Sequence, residues 1–381
     1  MVNIIKKIIV DGLNSKISGE YPFHPDINVL TGKNGAGKTN FLKLIWYLTS
    51  GHIQMVLSDI DVRYVELHGD DYRLIINNKN NSENYLFEKD EPDDNETAEI
   101  TFYSKNEKLI ETKVHRVFSR GPRKSKLETL HEFIEDKTNK SVFFPTFRRI
   151  EYALNDSEYS RYGRNSVTHL AEYLTTKNHV FVTAISTKDI VELVSSEFAK
   201  ISNEIVKMNM DFSEQIRNEV KVYRNTSLRK NTMDENEVLL KNATSALNKI
   251  TDSLDKYENY RKKLLTPFNQ LDSFISDVFD DKGIRFTDDI KLGVGDAMLS
   301  DKLSAGEQQM LSFLCYNAFM DNSTIFIDEP ELSLHVDWQR DLFPILMNQG
   351  KNNQYFVATH SPFIYSKYET NEIVLSESKG W

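Results

Sequence analysis

The sequence predicts an α/β fold interrupted by a long helical hairpin. Three observations carry this reading. An apolar run, Ile27 to Leu30, ends at a glycine-rich loop that opens a helix-like segment. A second apolar run, Thr324 to Asp328, ends on two adjacent carboxylates. Between them, apolar residues recur every three or four positions along two long stretches.

Composition sets outer bounds. With 381 residues, 39% of them hydrophobic and 27% charged, the chain has room for two or three folding units. Lys and Arg number 47 against 57 Asp and Glu, a formal charge of −10, which excludes a uniformly basic nucleic-acid binder. The single cysteine, Cys315, excludes an internal disulfide and a multi-cysteine zinc site. The apolar start MVNIIKKIIV is broken by Lys6 and Lys7, too soon for a signal sequence. No stretch approaches the roughly 18–20 apolar residues that span a bilayer, so a cytoplasmic chain without membrane contact is expected.

The first third reads as strands: Ile4 to Val10, Ile27 to Leu30, Val62 to Leu67, Tyr72 to Ile76, Tyr85 to Phe87, Glu99 to Tyr103 and Val114 to Phe118. Residues 88–99, with seven acids and one lysine, read as a solvated loop. Two further strands, Ser141 to Phe144 and His179 to Ile185, precede a capping box at Ser186 to Asp189. Then Ile190, Val194, Phe198, Ile201, Ile205, Met208, Phe212 and Ile216 form one helical stripe. After a polar break, Asn225 to Glu235, a second stripe runs from Leu240 through Leu247, Leu254 and Phe268 to Ile275. The economical reading is an antiparallel hairpin whose first arm is about 55 Å long. Helices at Ser304 to Met320 and Trp338 to Asn348 then alternate with strands at Thr324 to Asp328, Gln354 to Thr359 and Glu372 to Leu375. The expected organisation is an N-terminal part, 1–185, a hairpin insertion, 186–280, and a C-terminal part, 281–381.

Gly32-Lys33-Asn34-Gly35-Ala36-Gly37-Lys38-Thr39 matches G-x-x-x-x-G-K-[ST] in the strand–loop–helix setting that makes the motif meaningful. Its glycines let backbone N–H groups turn inward around β- and γ-phosphates at the positive end of the next helix, which Asn40 continues. Lys38 reaches the phosphate oxygens, and Thr39 offers its hydroxyl to Mg²⁺. Asp328, last in its strand, suits outer-sphere contact with that ion; Glu329, one step on, suits polarising an attacking water.

Two more segments extend the pattern. Leu303-Ser304-Ala305-Gly306-Glu307-Gln308-Gln309 opens a helix before the acidic strand, and Ala358-Thr359-His360-Ser361-Pro362 closes the strand after it. With the phosphate loop, the acidic strand and the turn at Leu332-Ser333-Leu334, this ordered set resembles the ABC-type ATPases: Walker A, signature, Walker B, D-loop and switch histidine. The resemblance implies a P-loop ATPase head, a mixed sheet flanked by helices, using ATP and Mg²⁺. It also implies composite sites, in which Ser304 and Gly306 of one subunit cap the γ-phosphate on Lys38 of another, so a homodimer or higher homo-oligomer joined head to head is expected. Catalytic roles then fall to Glu329, His360 and Lys38. Nucleotide contacts fall to Gly32, Asn34, Gly35, Ala36, Gly37, Lys38, Thr39 and Asn40, with Ser304 and Gly306 in trans; Thr39 and Asp328 serve the metal.

The inserted hairpin resembles the SMC-like branch. Asp328 to His335 with Trp338-Gln339, Thr359 to Phe363, and Phe144 to Glu151 look most like OLD-type ATPases, including the ATPase subunits of two-component Septu- or PARIS-like anti-phage systems. That resemblance implies a sensor or regulatory ATPase controlling a separate effector, a nuclease. An SMC- or RecF-like DNA-repair ATPase and an ATP-holding scaffold with little turnover are the alternatives. Only 21 residues follow His360, so no TOPRIM domain and no nuclease activity of this chain's own are expected. A Q-loop glutamine is missing: Gln54 is the sole glutamine between Walker A and residue 214. Arg148 and Arg149 read as sensors or as structural arginines. Lys113, Arg116, Arg120, Arg123, Lys124 and Lys126, with Arg148, Arg149, Arg161 and Arg164 beside Tyr159 and Tyr162, read either as a groove for nucleic acid or as a solvated strand edge.

Overall fold

A computed structural model of the chain describes residues 3–78, 97–105, 107–115, 124–146, 171–182, 187–227, 235–278 and 303–376. The chain divides into two compact units, Met1–Ile185 with Leu303–Trp381, and Ser186–Lys302.

Among the described residues, the first unit holds two six-stranded sheets. One contains β1 (Ile5–Leu13), β2 (Ile17–Pro22), β4 (Tyr64–Gly69), β5 (Tyr72–Asn78), β6 (Thr97–Ser104) and β7 (Glu107–His115), in the order β2-β1-β4-β5-β6-β7, all antiparallel. The other contains β3 (Ile27–Thr31), β8 (Ser141–Phe144), β9 (His179–Phe181), β10 (Thr324–Asp328), β11 (Gln354–Ala358) and β12 (Glu372–Val374), in the order β12-β3-β11-β10-β8-β9, all parallel. The expected α/β head is present, but its strands sort by direction into two sheets instead of mixing in one. Local connections pair β4 to β7 antiparallel, whereas each parallel step needs a crossover. Burial follows the same division. Every residue of β3, β8, β10 and β11 is buried, while β4 and β5 alternate between buried and partly exposed.

Helices α1 (Lys38–Thr49), α2 (Ile53–Asp59) and α3 (Lys124–Lys137) belong to this unit. Gln354, at the start of β11, stitches the two sheets together: its Nε2 donates to Ile5 O and His24 O, each at 2.8 Å, and its Oε1 accepts from Ile5 N at 2.9 Å.

The second unit contains α4 (Thr187–Ser227) and α5 (Glu235–Val278), which run antiparallel. Phe198 meets Phe268, Tyr260 donates to Glu204, Phe212 stacks on Tyr257, and Lys249 pairs with Glu219, so partners descend on one arm as they rise on the other. The 41 residues of α4 span roughly 60 Å. Returning to the first unit, α6 (Ala305–Phe319), α7 (Val336–Asn348) and α8 (Pro362–Tyr365) alternate with β10, β11 and β12.

Several expectations shift. The strand expected at Val114 to Phe118 begins earlier, at Glu107, because it pairs with β6 along its length. The acidic loop ends sooner, since Thr97 to Glu99 already lie in β6. Strand β2 and helices α2 and α3 were not anticipated; α3 occupies part of the basic stretch read as strand edge or loop. Tyr85 to Phe87, the rest of the acidic loop, and the capping serine Ser186 lie outside the described residues. Among the described residues no helix is long and apolar enough to cross a membrane.

The centre of the first unit is Trp46, fully buried in α1. Its Nε1 donates to Ser141 Oγ at 3.1 Å, and its ring contacts Phe143 and Phe181 and stacks on His52. Two histidines are carried into this core. His52 pairs with Ser50 Oγ at 2.6 Å and faces His131; His179 pairs with Ser141 Oγ at 2.8 Å. Burial, and then the neighbouring histidines, hold His52 near pKa 4 and His179 near 3, so both stay neutral where the unfolded chain takes up protons. Their contribution to stability is therefore complete above about pH 6.5 and is lost as pH falls towards 4. For His52 that contribution is on the order of 3 kcal/mol. His52→Phe keeps a ring against Trp46 and removes the titrating group. Its thermal midpoint is expected to fall less than that of the parent chain between pH 7 and pH 5; equal slopes in the two proteins would refute the assignment.

Candidate functional site

The parallel register aligns the carboxyl ends of the four central strands. Asp328 stands beside Ala358, Ala358 beside Leu30, and Ile327 beside Phe144. Ligands of open α/β sheets bind at such an edge. From Leu30 the chain enters the phosphate loop, where Gly32, Gly35 and Gly37 have φ of 143°, 77° and 93°. These are backbone conformations that side chains disfavour. A Cβ at Gly35 would meet nothing within 4 Å, which leaves the crest of the loop open to a ligand.

Lys38, the first residue of α1, is buried and points back into its own loop. Its Nζ donates to Gly32 O at 3.0 Å and Lys33 O at 3.3 Å, and stands 2.6 Å from His360 Nε2. Accepting from an ammonium requires the Nδ1–H tautomer of His360. Burial lowers the pKa of Lys38, opposed by the charges of Glu329, Asp328 and Glu331; burial and then the Lys38 charge lower that of His360. The loop and the histidine together form a cage of acceptors around one cation.

Asp328 is 3% exposed. One of its oxygens accepts from Thr39 Oγ1 at 3.1 Å, the other from Thr146 Oγ1 at 2.5 Å. Burial raises its pKa despite both hydroxyls, because neutral donors do not replace the hydration of a carboxylate. A hydroxyl and a carboxylate oxygen in contact, short of positive charge, are the donor set a hard divalent cation takes. Glu329 follows with φ of +53°, a strained value for a residue with a side chain, and its N–H donates to Ala358 O at 2.8 Å.

Sequence reasoning gave no role to two residues of this edge. Thr146 follows β8 and binds Asp328; the only signal for it is a hydroxyl placed just past a buried strand. Glu331 accepts from His360 N at 2.6 Å and from Thr359 Oγ1 at 2.8 Å, and burial raises its pKa.

Ser304 and Gly306 are placed elsewhere. Ser304 is the N-cap of α6 and forms a reciprocal capping box with Glu307. That box already engages the Ser304 N–H, at 2.7 Å from Glu307 Oε2, so an incoming anion must displace a carboxylate. Among the described residues no hydrogen bond joins Ser304 or Gly306 to the phosphate loop, whose exposed Asn34 also stands apart. Ala36 N closes the loop onto Lys33 O, and Asn40 bonds Asn14.

Gln54, weighed as a Q-loop residue, lies in α2 and accepts from Tyr173. Arg116, Arg120, Arg123, Arg148, Arg149, Arg161 and Arg164, with Tyr159 and Tyr162, lie outside the described residues. Of the basic stretch, Lys113 is exposed and pairs with Glu99, while Lys124 and Lys126 fall at the start of α3.

Gly306 is required by geometry. A Cβ there would stand 2.2 Å from Ser333 O, in a turn where Ser333 itself has φ of +70°. Gly306→Ala gains about 1 kcal/mol of helix propensity but forces backbone apart, at a cost of about 1–3 kcal/mol. Urea denaturation is expected to show net destabilisation; a more stable variant would mean that helix and turn are not in this contact.

The chain is similar to several known proteins. A protein from Escherichia coli described as "Retron Ec83 probable ATPase" is 27% identical over 152 residues, which make up 36% of this chain and 28% of that protein. The matched region is thus less than a third of that relative's length. Among solved structures, the Smc head domain with an extended coiled coil from Pyrococcus furiosus aligns with a TM-score of 0.39 and 14% identity, over 98% of this chain and 93% of that one. The recombination mediator protein RecF aligns with a TM-score of 0.36 and 11% identity, over 95% and 94%. Residues 27–366, from β3 to the end of the helix that follows His360, match one family along their whole span, and the chain belongs to that family, described as "AAA domain, putative AbiEii toxin, Type IV TA system".

Proposed function

We propose that the chain binds Mg²⁺·ATP at the edge formed by the phosphate loop and the acidic strand, hydrolyses it, and uses the cycle to control a separate effector in anti-phage defence. One observation carries the ATP reading: Thr39 and Asp328, 289 residues apart, share a hydrogen bond, beside a Lys38 that reaches His360. Family membership supports an ATPase, and the retron relative supports a defence setting.

The residues divide the work as follows. Loop N–H groups other than those of Lys33 and Ala36, which bond Ser376 Oγ and Lys33 O, receive the phosphates together with the N-terminus of α1. Lys38 exchanges its carbonyl acceptors for phosphate oxygens, which frees His360 Nε2 to take another partner. Thr39 and, by outer-sphere contact, Asp328 would hold the cation, which when bound would supply positive charge to the phosphoryl oxygens. Glu329 orients and polarises the attacking water, whose oxygen bonds the γ-phosphorus as the bond to the ADP oxygen breaks. Ser304 and Gly306 act in trans, so two heads close over two nucleotides and release them after hydrolysis. The effector is a separate protein, a nuclease, and this chain does no cutting itself.

Lys38→Ala is expected to weaken nucleotide binding at least ~100-fold by calorimetry while the fold persists. Wild-type affinity in that variant would remove the phosphate-loop assignment. Glu329→Gln is expected to bind ATP normally, lose turnover by roughly 100-fold or more, and accumulate a closed dimer on gel filtration. If it hydrolyses ATP at the parent rate, the water is activated elsewhere.

A further inference from the structure

Beyond the phosphate loop, the described residues close a ring of hydrogen bonds behind His360. Glu331 Oε1 accepts from His360 N at 2.6 Å, and Glu331 Oε2 from Thr359 Oγ1 at 2.8 Å. Thr359 Oγ1 in turn accepts from Ser361 N at 3.0 Å, and Ser361 Oγ donates to Gln339 Oε1 at 2.6 Å. Gln339 Nε2 returns to the start, donating to Glu331 O at 3.3 Å and Leu334 O at 2.9 Å. The ring therefore joins three segments: the turn after β10, the loop after β11, and the first turns of α7.

Two features make this more than local packing. The His360 side chain is exposed, its Nε2 stands 2.6 Å from Lys38 Nζ, and its backbone N–H is held by a carboxylate, so Glu331 fixes the base of a side chain whose tip meets Lys38. The turn held by Gln339 is also the one whose Ser333 carbonyl lies against Gly306. A shift of α6 at Gly306 must move Ser333 and Leu334, and through Gln339 and Ser361 it reaches the backbone of His360.

We infer that Glu331 is a positioning residue, clamping the His360 backbone so that the ring stands over Lys38, and that Gln339 couples this setting to the turn beneath Gly306. The inference rests on the reading of Lys38 and His360 as groups that handle the γ-phosphate. It assigns Glu331 no contact with nucleotide or water. Its carboxylate serves because two donors converge on it; an amide of the same shape presents one acceptor and one donor group to them.

The test uses the full chain as wild type, Glu331→Ala and Glu331→Gln, each with and without His360→Ala, measuring kcat and the dissociation constant for Mg²⁺·ATP. Glu331→Ala is expected to lower kcat by about 10–100-fold and to leave the dissociation constant within about threefold. Glu331→Gln, which keeps one contact, is expected to fall between wild type and Glu331→Ala and also covers the case in which the alanine variant fails to fold. In the His360→Ala background either substitution is expected to cost less than about twofold, because the group being positioned is gone. Equal losses with and without His360, or a loss confined to affinity, would overturn the inference. Wild-type protein that binds but never hydrolyses ATP overturns the function proposed above and this inference with it; an active wild type matched by Glu331→Ala overturns the inference alone.

Discussion

A single buried carboxylate governs the edge of the parallel sheet. Asp328 is almost wholly removed from water, and a carboxylate in that position is costly unless both oxygens are satisfied. Two hydroxyls satisfy them, Thr39 from the start of α1 and Thr146 from the chain leaving β8. These bonds fasten the phosphate loop, β8 and β10 to one another at the point where their strands end. The compensation is incomplete by design of the chemistry: hydroxyls supply hydrogen bonds but no charge, and the raised pKa of Asp328 records the shortfall. An edge held in this way is assembled before any ligand arrives, and the nearby charge of Lys43 offsets only part of the cost of burying Asp328.

Much of this was legible in the sequence because the relevant signals are local. The phosphate loop needs glycines at fixed offsets, and Gly32, Gly35 and Gly37 all adopt positive φ. The buried strands β3, β10 and β11 are short, continuous apolar runs, and α6 opens on a serine with a glutamate three residues later. What was not legible depends on partners far along the chain. Residues Ile17–Pro22 alternate weakly and become β2 through pairing with β1; α3 is a polar, lysine-rich segment whose helical state is supported by burial of Leu130 and Ile134. Thr146 and Glu331 lie in segments that resemble a family, but their hydrogen-bond partners appear only once β8, β10 and β11 lie side by side.

The hairpin shows a different limit. Periodicity identifies two helices and pairs them, but it does not assign burial to each apolar position. Leu240 and Leu247 are 69% and 64% exposed, whereas Leu271 and Ile275 are fully buried. A seven-residue spacing drifts about 20° per repeat around a straight helix, so one stripe leaves the seam that it shares further along. Spacing alone reports that a face is apolar and says nothing of which portion of it is covered.

The order of strands in the parallel sheet has a consequence for how the protein is made. Strand β3, which delivers the phosphate loop, lies between β11 and β12, and a hydrogen bond from Asn28 to Tyr355 closes a loop of 327 residues. At a synthesis rate of about 5–20 residues per second, β3 waits tens of seconds on the ribosome for its neighbours. An apolar strand without partners is a hazard for association with other chains during that interval. The edge that holds the glycine-rich loop is consequently among the last parts of the molecule to form. A nascent chain stopped anywhere before Gln354 carries the phosphate-loop sequence without the sheet edge that gives it shape.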